Sequence, residues 1–193
     1  MDFGKASEYV THRLQTELSP DLFYHSPGHT FDVVTATRRL CEAEQVDAHS
    51  ALLIETAALY HDTGMIFQYR DHEGKSIGLA RETLPGFGYS QAEIDLISNL
   101  IYATGMPQRP AHLHEQILCD ADLDYLGRND YLIRSYCLRL ELQLIGLNNA
   151  TLKEWISFQV DFLSGHTYFT GSAKSLRNDY KRRNLEELRN LLT

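Results

Sequence analysis

The chain has 193 residues, 43% of them hydrophobic and 23% charged, a size and balance that suit one soluble domain with a single core and exclude a disordered or low-complexity chain. The formal net charge of −8 repels polyanions, which argues against nucleic-acid or anionic-membrane partners and leaves room for a small phosphorylated substrate met by a local basic group. Cys41, Cys119 and Cys137 are odd in number and widely spaced, so neither a disulfide framework nor a thiolate zinc site is expected; they read as small buried hydrophobes.

In chain order, Met1-Asp2-Phe3-Gly4-Lys5 lacks the basic start and apolar run of a signal peptide. The stretches Ala51-Leu52-Leu53-Ile54 and Ala57-Ala58-Leu59-Tyr60 fall far short of the roughly 20 apolar residues of a membrane span. A cytoplasmic protein with no membrane partner is the expectation. Apolar residues recur at three- and four-residue spacing, first at Val10, Leu14 and Leu18, then at Val33, Val34 and Leu40, which predicts helices over about 3–18 and 29–45. Ser26-Pro27-Gly28 separates these two. A third helix over about 48–61 ends before Thr63-Gly64, and a fourth over about 73–84 ends at Pro85-Gly86-Phe87-Gly88. Ser90 and Glu93 form a capping-box pattern that opens a helix over about 90–103. Beyond Gly105-Met106-Pro107, helices are predicted over about 113–126 and 129–146, and Thr151 and Glu154 repeat the capping box before one over about 151–164.

The last helix, about 171–192, alternates Lys174, Arg177, Lys181-Arg182-Arg183 and Arg189 with Glu186-Glu187, the pattern of a solvated amphipathic helix. Strand-like alternation is not sustained anywhere. The expected fold is therefore all-α, a single-domain helical bundle over 1–193, with a motif-bearing core at about 24–127 and C-terminal helices at about 129–192.

The chemistry gathers at a few points. Leu59-Tyr60-His61-Asp62-Thr63-Gly64 puts adjacent His and Asp at the end of an apolar helix. Neighbours on a helix diverge by about 100°, so they converge on one ion only at a helix end or a local distortion, and Thr63-Gly64 offers such an end. A neutral imidazole beside an anionic oxygen suits divalent Mn, Fe, Co, Zn or Mg. Further ligands must come from elsewhere; His29, in Tyr24-His25-Ser26-Pro27-Gly28-His29-Thr30, and the acids of Cys119-Asp120-Ala121-Asp122-Leu123-Asp124 are candidates. The acid run imitates the start of a calcium loop, but Tyr125 and Tyr131 fall where that loop needs Gly and Glu. Asp120 and Asp122 point in different directions on a helix, so only one of them is expected to be a direct ligand.

This order of His, then His-Asp, then a distant Asp, over about residues 24–127, resembles the HD-domain superfamily, whose members are mostly metal-dependent phosphohydrolases and phosphodiesterases on an all-α fold. The resemblance implies one divalent ion per chain held by His29, His61, Asp62 and Asp122, with Asp120 in support. It further implies phosphoester hydrolysis by metal-activated water, on a nucleotide or other small phosphorylated metabolite, with Asp62, His72 and Glu73 as catalytic candidates. His25, Lys75, Arg109 and Arg128 are candidates for holding substrate phosphate. A di-iron oxygenase resembling inositol oxygenase is the alternative, with His25, His72 and His112 or His114 as extra ligands; a metal-binding regulatory module without turnover is another. His12, His49 and His166 lack any ligand pattern. An oligomer is compatible with the sequence.

Overall fold

The computed structural model describes residues 1–192. Among them the chain forms nine α-helices and no strand: α1 (Phe3–Glu17), α2 (Pro27–Ala43), α3 (Ala48–Tyr60), α4 (His72–Thr83), α5 (Gln91–Ala103), α6 (Leu113–Asp122), α7 (Tyr131–Leu144), α8 (Leu152–Gly165) and α9 (Gly171–Asn190), with 3-10 turns at Thr63–Ile66, Leu84–Phe87 and Asp124–Gly127. The fold is all-α, as the periodicity predicts. No helix is long and apolar enough to cross a membrane.

Capping explains most of the starts. Ser26 accepts the His29 N–H and Pro27 occupies the first turn, so α2 begins two residues earlier than its apolar pattern and carries His29 in that turn. Ser90 with Glu93 and Thr151 with Glu154 form the two expected capping boxes. The sixth helix stops short of expectation: it ends at Asp122, and a 3-10 turn takes over at Asp124–Gly127.

Helix α3 is apolar on all sides and becomes the central post. Its Leu53, Ile54, Ala57, Ala58, Leu59 and Tyr60 are buried, and α1, α2, α5 and α6 pack around it. Each large aliphatic side chain buried there contributes about 1.5–3 kcal/mol. The packing at its end is close: a Cβ on Gly64 would lie 1.9 Å from the His72 carbonyl oxygen. Ser76 braces the same point, its Oγ accepting Gly64 N–H at 2.8 Å and donating to the His61 carbonyl at 2.6 Å. The start of α4, with His72, is thereby held against the His61-Asp62 corner.

The C-terminal helices complete the bundle. Helix α9 packs on the turn after α6, where Arg177 grips Asp124 through two nitrogens at 2.7 and 2.8 Å. Lys174, Arg182, Arg183 and Arg189 are exposed as expected, whereas Arg177 and Lys181 are partly buried. Cys41 and Cys119 are buried thiols and Cys137 is half-buried; burial raises the Cys41 thiol to about 12.

Candidate metal centre

Three helix ends meet at one place. His29 comes from the first turn of α2, His61 caps the C-terminus of α3, and Asp122 is the last residue of α6. Asp62 leaves helical geometry (φ −105°, ψ 5°), the distortion that lets two adjacent side chains face the same point. His29, His61 and Asp122 offer ligand atoms all within 4.8 Å of one another. Asp62 Oδ2 lies 3.4 Å from His29 Nε2 and 3.1 Å from His61 Nε2, while Asp122 Oδ1 lies 3.3 and 3.5 Å from the same two nitrogens.

These are not ordinary hydrogen bonds. His29 Nε2, His61 Nε2 and Asp62 Oδ2 are buried and have no hydrogen-bond partner, a costly condition for polar atoms. The His61 tautomer is set from behind, because its Nδ1 donates to the Ala58 carbonyl at 2.7 Å and leaves the Nε2 lone pair aimed at the carboxylates. Gln108 donates to Asp122 Oδ2 at 3.1 Å, leaving Oδ1 for the centre. The residues therefore fit a divalent cation. Donors around an ion at about 2.0–2.2 Å stand roughly 3.0–3.5 Å apart, and a cation would satisfy the stranded atoms together with two carboxylate charges.

The electrostatics agree. Burial opposes a charge on His61, but Asp62 and Asp122 outweigh it and lift its pKa well above the ordinary value; His29 is raised by the same pair. Burial works against the carboxylates too, yet the facing imidazoles hold Asp122 at about 2 and Asp62 well below the usual range.

Asp120 takes another part. Its two oxygens accept Phe169 N–H, Thr170 N–H and Thr170 O–H at 2.7–2.8 Å, tethering the segment that caps α9. Asp120 and Asp122 are thus separated as their helical divergence predicts.

The centre opens onto a cavity of about 660 Å³, lined by His25, Asp62, His72, Glu73 and Asp122 among others. His72 Nε2 is 3.2 Å from Asp62 Oδ1 and 3.7 Å from Glu73 Oε1, and its Nδ1 donates to the Tyr69 carbonyl at 2.9 Å. His25 is oriented by Glu141, which faces its Nδ1 and accepts the Tyr24 and His25 backbone N–H groups at 2.8 and 3.0 Å. Three expected phosphate contacts are not brought here. Lys75 is exposed on α4 and absent from the lining, Arg109 lines a neighbouring cavity beside Glu73, and Arg128 is engaged by Asp130 and Asp32. Nor do His112 or His114 line the cavity.

Four residues escaped the sequence reading. Arg70 is the basic residue in the lining; its place beside Asp71-His72 was the available signal. Gln108, Glu141 and Tyr24, whose ring lies 4.7 Å from that of His29, carry no local pattern, except that Tyr24 directly precedes His25.

The HD domain profile matches residues 28–124, just over half of the chain. The chain belongs to the HD-domain family. Two solved proteins share the fold of this HD chain. One, described as a predicted HD superfamily hydrolase from an uncultured Thermotogales bacterium, is 19% identical with a TM-score of 0.66 and covers 98% of this chain and 90% of its own. The other is Bacillus subtilis YpgQ, 18% identical with a TM-score of 0.69, covering 99% of this chain; its structures with and without ADP are covered to 95% and 96%. No curated protein gives a significant match.

Proposed function

We propose that this HD protein hydrolyses a phosphoester, using one divalent ion held by His29, His61, Asp62 and Asp122. The observation that carries the reading is the convergence of two stranded imidazole nitrogens on two carboxylates, at 3.1–3.5 Å, on the wall of a ligand-sized cavity. The ADP held by YpgQ supports a phosphorylated ligand. A divalent ion in such a site lowers the pKa of a bound water and neutralises charge on the phosphoryl group.

The chain's own residues do the rest. In this reading Asp62 also takes a proton from water. His72 Nε2 faces Asp62 Oδ1 at 3.2 Å and borders that carboxylate in the cavity wall. With His25 Nδ1 held by Glu141, its ring is fixed on the cavity wall, and Arg70 supplies the positive charge that Lys75, Arg109 and Arg128 do not. Glu73 borders His72 and keeps its ring in place.

The test is chelation followed by metal return. Chelated protein should lose phosphoesterase activity while staying helical, and Mn or another first-row ion should restore it better than calcium, which prefers six to eight oxygens. His61→Ala and Asp122→Ala should lose the bound ion and keep the helical circular dichroism signal. Full activity in metal-free protein overturns the reading. Two irons per chain with oxygen uptake would replace it by the oxygenase alternative.

A further inference from the structure

The cavity lining combines two unlike sets of side chains. One holds Asp62 and Asp122 of the metal centre with His25 and His72; the other is Leu138, Leu142, Leu147, Trp155, Phe158 and Phe162, aliphatic and aromatic. That apolar wall belongs to α7, α8 and their connection, beyond the stretch that the HD profile matches. The family pattern therefore supplies the metal centre, and the rest of this chain supplies the apolar set.

Charge narrows what fits. Asp62, Asp71, Glu73 and Asp122 face the cavity against Arg70 alone, so with neutral histidines even a divalent ion leaves it negative. Beside the metal end, Arg70 is the single guanidinium of the lining, and most of the remaining lining offers contact to an uncharged group. The cavity suits one phosphoryl group carried on an apolar body. The apolar wall also contains one polar side chain, Gln159, which is buried and whose Oε1 accepts the Tyr131 hydroxyl at 2.8 Å. Trp155 Nε1 is satisfied by Ser135 Oγ at 3.0 Å, so the indole offers the cavity an apolar surface and needs nothing from a ligand. The volume of about 660 Å³ lies within the usual range of about 300–1,000 Å³ for small-molecule sites.

We infer that the substrate is a phosphomonoester of an apolar, ring-bearing alcohol, its phosphoryl group at the metal end and its ring against Trp155, Phe158 and Phe162. This deepens the phosphohydrolase reading and rests on it. Ester cleavage then breaks the phosphorus–oxygen bond, the water oxygen joining phosphorus and one proton passing to the departing alkoxide.

Binding tests this without turnover. Protein loaded with Mn²⁺ is titrated calorimetrically with methylphosphonate and with phenylphosphonate, and Trp155, the single tryptophan, reports occupancy of the lobe by fluorescence. Phenylphosphonate should bind roughly 10- to 100-fold more tightly, as expected for burying a ring in place of a methyl group, and should perturb Trp155 more. Phe158 and Leu147 are 57% and 41% exposed, so Phe158→Ser and Leu147→Ser spare the core; each should erase most of the phenyl advantage while methylphosphonate binds as before. Equal affinity for the two phosphonates, or a phenyl advantage untouched in both variants, overturns the apolar subsite and leaves the metal reading standing. Failure of both phosphonates to bind Mn²⁺-loaded protein overturns the metal reading together with the subsite.

Discussion

Glu141 and His25 are bound to each other twice: the Glu141 carboxylate accepts the His25 backbone N–H at 3.0 Å through Oε2 and faces the imidazole Nδ1 through Oε1. Glu141 is fully buried and stands 116 residues away in the chain. Glu141→Ala strands three donors, since Tyr24 N–H also depends on it. At about 1–3 kcal/mol for each unsatisfied buried group, partly relieved by water, the expected loss is roughly 2–5 kcal/mol of stability. Glu141→Gln should cost less stability and still reduce turnover, because a Gln amide cannot hold the imidazole as a carboxylate does. Urea denaturation and steady-state kinetics on both variants check this; an unchanged unfolding midpoint for Glu141→Ala would show the contacts to be immaterial.

Asp120→Asn and Asp122→Asn should separate cleanly. Asp122→Asn removes an oxygen aimed at both imidazoles and should abolish tight metal binding with little change in stability. Asp120→Asn disturbs the bonds to Phe169 and Thr170, so stability should fall, and metal affinity should drop by no more than about 10- to 100-fold, the usual effect of a supporting residue. Metal titration alongside thermal unfolding decides it, and the reverse order in metal affinity rejects the assignment.

Gly64→Ala should distort the metal-site corner. The new Cβ would meet the His72 carbonyl at 1.9 Å, and backbone cannot swing aside as a flexible side chain does. Overpacking of this kind costs about 1–3 kcal/mol, and the shift should carry His72 away from Asp62. A lowered melting temperature together with a fall in kcat is expected. A variant as stable and active as the parent would mean that α4 and the 3-10 turn separate freely.

His166 gives a pH signature far from the centre. Burial, aided by the nearby Lys181 charge, lowers its pKa to about 4 in the folded chain, against about 6.5 in the unfolded one. The unfolded chain therefore binds the extra proton between these values, so His166 leaves stability intact above pH 6.5 and subtracts from it as pH falls toward 4. His166→Phe, unable to titrate, should flatten the stability–pH curve in that window relative to the parent. Parallel curves for the two proteins would show that the ring is solvated.

The sequence by itself determined the helices and the order of the candidate ligands. Ser26-Pro27, the Ser90 and Thr151 boxes, and the spacing through Val10, Leu14 and Val33 act within about one helical turn, so they are legible locally. His61-Asp62 before Thr63-Gly64 marks a helix end for the same reason. Only the tertiary structure decided which oxygen faces the imidazoles, because Asp120 and Asp122 look alike until Phe169 and Thr170 claim the first. Packing likewise brought Glu141 to His25 and Gln108 to Asp122, spent Arg128 on Asp32 and Asp130, and set α7 and α8 beside the metal end. Those pairings join residues far apart in the chain, and their energy exists only once the helices have docked.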